Sequence, residues 1–337
     1  MDSQFEENTT TTTASGAPLE LAQIKAPVAA GLAAVDLRLV EVGQSAPALF
    51  EPLADSLLAR GKRLRPLIVL LAAASVGEPP PAAVNLAAAV EEIHLASLIH
   101  DDIIDDAEQR RGRPAAHAAL GRRKAVLAGD FLAAAAYRDL SSASLPEAAE
   151  AFTGALVAMT QAEVLAVSTA GTVPSEADYL EIVNGKTAAL FGASAYLGAL
   201  AAGLPAAEAA ALRSYGKLLG TAFQIRDDLL DLYGTAEAVG KPVRRDLTAG
   251  LYTLPVIHAA AGPAGAELQR ELAQLRETPE DSDLAERISA LTREAGGEAY
   301  ARATMLRYVE QAQAALPAGH TQPLLVALAD YAVSRGR

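Results

Sequence analysis

Residues 100–105 read HDDIID and residues 226–231 read RDDLLD, and the reading of the fold starts from these two stretches. Each is Asp-Asp, two aliphatics, then Asp, and they stand 126 positions apart. In an α-helix, residues i and i+4 share a face one turn apart, so Asp101 and Asp105 project together with Asp102 slightly to the side. Asp227 and Asp231 repeat the pattern with Asp228 beside them. The intervening pairs, Ile103–Ile104 and Leu229–Leu230, mark the other helix faces as buried. The period is too long for a solenoid. It predicts two facing helices that carry the same cluster into one cavity.

Outward from the clusters, apolar segments of helical length alternate with short punctuators such as VGEPPP (76–81), SLPE (144–147), AGTVPSE (170–176), AGLP (202–205) and AGPAG (261–265). Ser175 or Asp178 can start the helix leading into YLEIVNGKTAALF, and Ser56 can do the same near LADSLLAR. No stretch keeps up strand alternation. Hydrophobic residues are 51% of the 337, aromatics only 4%, and Ala, the strongest helix former, is abundant. The expectation is an all-α fold: a single bundle of ten or more helices around a central cavity, spanning 21–337 behind a disordered tail over 1–20.

Composition also excludes. A net charge of −13 argues against a generic nucleic-acid surface, which needs clustered Lys and Arg. With no Cys there are no disulfides, zinc-thiolate sites or thiol nucleophiles. The opening MDSQFEENTTTTTASGAP is acidic and then Thr-rich, unlike a signal peptide, so a cytoplasmic location is expected. TAALFGASAYLGALAAGLPAA, from Thr187, reaches membrane-spanning length on paper. Its Ala and Gly content, Pro205, and Lys186 at its start favour a buried helix, and no integral membrane segment is expected.

Like charges one turn apart destabilise a bare helix, so the clusters need a counter-charge. Carboxylates without His suit a hard cation such as Mg²⁺, which takes oxygen ligands and bridges to substrate phosphates. The plain alternative, two solvated acidic faces, is disfavoured by the repeat in apolar settings. The cations then matter. RGKRLRP (60–66) places four before an apolar helix. Arg110, Arg111 and Arg113 follow the first cluster, Lys186 precedes Thr187, and Lys241, Arg244 and Arg245 follow the second. Any one alone reads as a surface charge; together, beside carboxylates suited to a metal, they describe a diphosphate site.

The ordered set GKRLRP (61–66), HLASLIHDDIIDDAEQRRGRP (94–114), VLAGDFL (126–132), GKTAALF (185–191), FQIRDDLLDLYG (223–234), GKPVRRDL (240–247) and YTLPVIHA (252–259) resembles the trans-isoprenyl diphosphate synthases, the polyprenyl synthetase family, from about residue 50 to beyond 300. The resemblance implies that Asp101, Asp102, Asp105, Asp227, Asp228 and Asp231 bind Mg²⁺ ions that chelate an allylic diphosphate. It gives Lys186, Thr187, Gln224, Lys241 and Arg110 to the allylic diphosphate, and Lys62, Arg65, His94 and Arg111 to isopentenyl diphosphate. Catalysis then falls to Asp101, Asp102, Asp105, Lys186, Asp227, Asp228 and Lys241. His94 lies two helical turns from Asp101 on the same face.

The implied chemistry is ionisation of the allylic C–O bond, attack by the isopentenyl double bond and proton loss, with the released diphosphate as base and water excluded. The family also implies a homodimer. Two departures stand out: Arg60-Gly61 where many relatives have Gly-Gly, and Arg244 at a position usually given to Gly.

Residues one turn before Asp101 are Ala96 and Ser97, where short-product relatives often carry an aromatic floor. Small residues there, followed by Ile93, Val90, Ala89 and Leu86 and opposed by FLAAAAY (131–137), imply an open tunnel. The expected product is a long all-trans chain, octaprenyl or similar, of the type used in quinone side chains. Phe131 and Tyr137 are candidate deeper stops, or plain core. A shorter product, geranylgeranyl or farnesyl, is the alternative. Terpene cyclases and head-to-head synthases would share the metal logic but fit GKRLRP and Arg110–Arg111 less well. A non-catalytic partner subunit would be expected to lose one cluster. A di-metal carboxylate oxidoreductase would need Glu-x-x-His pairs in the bundle, and none is expected.

Overall fold

The computed structural model describes residues 19–53, 61–110, 112–235, 243–319 and 321–334. Ser56, Arg60, Arg111 and Lys241 lie outside the described residues, as does the expected tail apart from Leu19 and Glu20. The all-α expectation holds. Helices of seven residues or more run Ala29–Gln44 (α1), Leu64–Ala73 (α2), Pro81–Ile104 (α3), Arg122–Ser142 (α4), Pro146–Thr169 (α5), Glu176–Val183 (α6), Ala189–Ala201 (α7), Ala206–Tyr233 (α8), Leu254–Ala260 (α9), Gly265–Glu277 (α10), Ser282–Glu294 (α11), Gly297–Ala314 (α12) and Gln322–Ser334 (α13). The strands among the described residues form one hairpin, β1 (Gln109–Arg110) with β2 (Arg113–Pro114), paired Gln109 to Pro114 and Arg110 to Arg113.

Helix starts follow the sequence. Ser175 caps α6: its Oγ accepts from Asp178 N at 3.1 Å while the Asp178 carboxylate reaches back to Ser175 N, so both expected residues form one capping box. Between α6 and α7 the chain widens into a π-helical turn, Asn184–Ala188. The stretch from Thr187 therefore does not form one spanning helix. It divides into this turn, α7, and a break before α8, and Ala188, Leu190, Phe191, Ala195 and Leu197 are buried. Two other helices, α3 and α5, are long and apolar enough to cross a membrane, with 67% and 28% of their most apolar windows buried inside the protein.

The chain's contacts resolve into two compact units, each assembled from three separate segments. The first comprises residues 1–153, 193–213 and 316–328. There α3 and α4 form the most extensively packed helix pair, and α2 is buried almost end to end. Two arginines of this unit are paired with carboxylates: Arg63 bonds Glu91 at 2.7 Å and Asp36 at 3.0 Å, and Arg38 forks onto Asp139 at 2.8 and 2.6 Å. The second unit comprises 154–192, 214–315 and 329–337. Its core includes Leu232, Tyr252, Val256, Leu268, Leu272 and Ile288, drawn from α8 to α11 and the loop before α9.

Candidate active site

In the first unit α3 carries His94, Ala96, Ser97, Asp101 and Asp102 and stops at Ile104, so Asp105 is its C-cap. The Asp105 amide donates to the Asp101 carbonyl at 2.8 Å, which fixes the two one turn apart as the spacing requires. Asp101 is half-buried and Asp105 exposed, whereas Asp102 is 3% exposed. The hairpin after α3 explains why: Arg110 on β1 donates from Nε and Nη2 to the two oxygens of Asp102 at 2.7 and 2.6 Å. Ile104, expected to face inward, is 53% exposed, because the helix ends there and the chain turns away.

Arg65 and His94, both expected at the isopentenyl diphosphate site, meet at 3.0 Å, with Lys62 half-buried just before them in sequence. Of the cations in GKRLRP, Arg63 is removed from phosphate duty by its buried bonds to Glu91 and Asp36 and sits in left-handed conformation, φ 52°. Against the expectation of none, the chain carries one Glu-x-x-His, Glu91 to His94, but its Glu is held by Arg63 and its His faces Arg65.

Ala96 is 2% exposed and the Ser97 hydroxyl donates to the His94 carbonyl at 2.9 Å. Deeper along α3, Leu86, Ala89 and Val90 are fully buried and Ile93 nearly so; on α4, Leu132, Ala135 and Ala136 are buried. Phe131 packs against Phe50 with ring centroids 5.4 Å apart and planes tilted by 54°, and Tyr137 is 42% exposed, its ring edge-on to Phe152. As a surface residue, Tyr137 is not a tunnel floor in this unit.

In the second unit α8 presents Gln224, Asp227, Asp228 and Asp231. Thr187 Oγ1 donates to Gln224 Oε1 at 2.6 Å, Gln224 Nε2 donates to Asp228 Oδ1 at 2.8 Å, and Tyr179 Oη donates to Asp228 Oδ2 at 2.6 Å. Tyr179 and Thr187 reach one helix face because of the wide turn. One α-turn of about 3.6 residues plus one π-turn, roughly a residue longer, spans the eight positions that separate them. A plain α-helix would rotate one of them away. Asp231 accepts through Oδ2 from the Asp246 amide at 3.1 Å and through its carbonyl from the Arg244 amide at 2.6 Å. Asp227 is the open member, 42% exposed and 3.0 Å from Arg226.

Lys186 Nζ lies 2.6 Å from Glu163 Oε2 of α5. A cavity of about 140 Å³ is lined by Lys186, Gln224, Asp228, Tyr179 and Asp246 among others. Burial pushes the Asp228 carboxyl up to about 7, with Asp227 and Asp231 adding to the rise and the bonds from Tyr179 and Gln224 opposing it. Tyr179, Glu163 and Asp246 were not singled out from sequence. Asp246 sits inside the quoted GKPVRRDL, whereas Tyr179 and Glu163 carry no local mark.

Arg244, the departure noted above, adopts φ +62°. That is the backbone region in which glycine is free and an L side chain is strained, which accounts for Gly being usual there.

The donor set fits a hard divalent cation. It is all oxygen, and the burial and neighbouring carboxylates that raise the Asp228 carboxyl are what a cation would offset. Among the described residues no three His, Asp or Glu converge into a ready-made cage. A Mg²⁺ ion that takes one or two carboxylates and completes its shell with water and phosphate oxygens needs none.

The sequence model of the polyprenyl synthetase family matches residues 46–291, well over half of the chain. The chain belongs to the polyprenyl synthetase family. Polyprenyl synthetases are prenyltransferases, and this one is 37% identical to the nonaprenyl diphosphate synthase of Mycobacterium tuberculosis over 97% of its own length and 99% of that protein's. Among solved structures it resembles a polyprenyl synthase from Caulobacter crescentus complexed with calcium and isoprenyl diphosphate, with TM-score 0.87, 37% identity, and 94% and 98% of the two chains covered. It also resembles a decaprenyl diphosphate synthase from Rhodobacter capsulatus, with TM-score 0.87, 35% identity, and 94% and 100% covered.

Proposed function

We propose that this polyprenyl synthetase elongates an allylic diphosphate by successive head-to-tail condensation with isopentenyl diphosphate. The product is a long-chain all-trans polyprenyl diphosphate, octaprenyl or similar, of the kind that supplies quinone side chains. The observation that carries the reading is the hydrogen-bonded chain Tyr179–Asp228–Gln224–Thr187, with Lys186 beside Thr187. It joins residues assigned to metal and residues assigned to the allylic diphosphate in one network. Asp101, Asp102, Asp105, Asp227, Asp228 and Asp231 would hold Mg²⁺, which supplies Lewis-acid stabilisation of a departing diphosphate.

The protein's own groups do the rest. Lys186, Lys241 and Arg110 bind and neutralise the leaving group, while Arg65, His94, Lys62 and Arg111 orient isopentenyl diphosphate. The apolar walls of α3 and α4 keep water from the carbocation. Small residues at 96 and 97 favour the long product.

We read 21–337 as one domain, since neither compact unit is a continuous stretch. Homodimerisation is supported by exposed apolar residues: Val157, Val164 and Val167 on α5 are 57%, 65% and 58% exposed at spacings of seven and three, and on α4 Leu127 is 56% exposed. Incubation with isopentenyl diphosphate, a panel of allylic primers and Mg²⁺, followed by product sizing, tests the proposal. Absence of elongation from every primer would overturn it.

A further inference from the structure

We propose that Glu163 is a positioning residue for the reaction: its carboxylate holds the Lys186 ammonium where the leaving diphosphate needs it. The inference deepens the reading above and rests on Lys186 being a diphosphate contact. Nζ and Oε2 are 2.6 Å apart, with the Glu163 side chain 18% exposed and that of Lys186 38%. The backbone sets this meeting. A Cβ at Gly185 would lie 2.5 Å from Ala162 Cβ and 2.6 Å from the Ala158 carbonyl oxygen, so only glycine lets the π-turn seat directly on α5. The next residue of each element, Glu163 and Lys186, is thereby placed face to face.

A lysine carries its charge on a long flexible stem whose freedom must be lost before it can act as a fixed point charge. Glu163 accepts a single proton of an ammonium that has three donors. It need not touch substrate. Because the stem is already ordered, the ammonium can meet charge as it develops on the departing diphosphate, rather than being recruited during the step.

The test is a double-mutant cycle on the full chain with Glu163→Ala, Glu163→Gln, Lys186→Ala and both double variants. Readouts are steady-state kinetics for each substrate and calorimetric binding of inorganic diphosphate. Glu163→Ala should lower kcat/KM for the allylic primer on the order of tenfold and move KM for isopentenyl diphosphate less than about twofold. Glu163→Gln, which keeps an oxygen acceptor, should recover part of the loss. In the Lys186→Ala background, neither change should add anything. Equal losses in both backgrounds, or unaltered kinetics for Glu163→Ala, would overturn the inference. Should Glu163→Ala not fold, Glu163→Gln makes the same comparison. A Lys186→Ala enzyme that binds inorganic diphosphate like the parent would remove the Lys186 assignment instead.

Discussion

Arg110 closes two arms of its guanidinium on the two carboxylate oxygens of Asp102, at 2.7 and 2.6 Å, so the cation proposed for the diphosphate and a carboxylate proposed for the metal satisfy one another. Arg110→Ala should leave Asp102, 4% exposed at its side chain, without its main counter-charge. Because the arginine is partly exposed, we expect a loss of about 1–2 kcal/mol, below the full cost of breaking a buried pair. The same variant should bind Mg²⁺ alone more tightly than the parent by calorimetry, since arginine and cation compete for Asp102. Equal or weaker binding would show that they do not compete.

Tyr179 orients Asp228 from behind. Tyr179→Phe should cost on the order of 10- to 100-fold in metal-dependent activity, as is usual when a partner of a metal-binding carboxylate is removed. Raising the Mg²⁺ concentration should recover much of it. Full activity at limiting Mg²⁺ would show that the hydroxyl has no such role.

Relief of backbone strain is expected at residue 244. Arg244→Gly removes a left-handed penalty of about 1–2 kcal/mol but adds freedom to the unfolded chain, so a net stabilisation below about 1 kcal/mol should appear in a denaturant midpoint. A fall in the midpoint would mean that the side chain contributes more than its conformation costs.

Glu92 is wholly buried on α3 beside Asp139, and the other charges around it are Arg138 and Arg38. Burial first, then the neighbouring Asp139, raise its carboxyl to about 8, while Arg38 and Arg138 draw Asp139 down against its own burial. A raised glutamate is protonated in the folded state over a range where the unfolded chain has already lost the proton. Its contribution is therefore present at low pH and declines as pH rises from the ordinary glutamate range through about 8. Glu92→Gln should remove that decline and be more stable than the parent above pH 8; parallel stability–pH curves for the two would contradict the assignment.

Substituting Ala96 by Phe should shorten the product, read by chromatography of the dephosphorylated chains. Because Ala96 is 2% exposed, a packing cost of about 1–3 kcal/mol should accompany it. An unchanged product distribution would refute the tunnel along α3.

Much of this architecture was legible because helical periodicity and capping are local. Ser175 and Asp178 form the box their spacing suggests, and Asp101 and Asp105 sit one turn apart. What escaped was set by partners far away in sequence. Asp102 turns from its neighbours because a hairpin brings Arg110 back to it, and Arg63 is drawn to Asp36 and Glu91, 27 and 28 positions distant. Ile104 matched a buried pattern that the end of the helix cancelled. Tyr179 could not be tied to Asp228 without knowing that the helix widens at Asn184, and a π-turn leaves little trace in composition.

That widening acts as a one-residue insertion absorbed inside a helix. Two turns of ordinary α-helix take about seven residues, so with Asn184 deleted a plain α-helix could close and leave Tyr179 and Thr187 on one face. One further residue inserted there would do the opposite, turning everything upstream by about 100° relative to Thr187 and taking Tyr179 from Asp228. The site should therefore tolerate shortening of this segment better than lengthening of it.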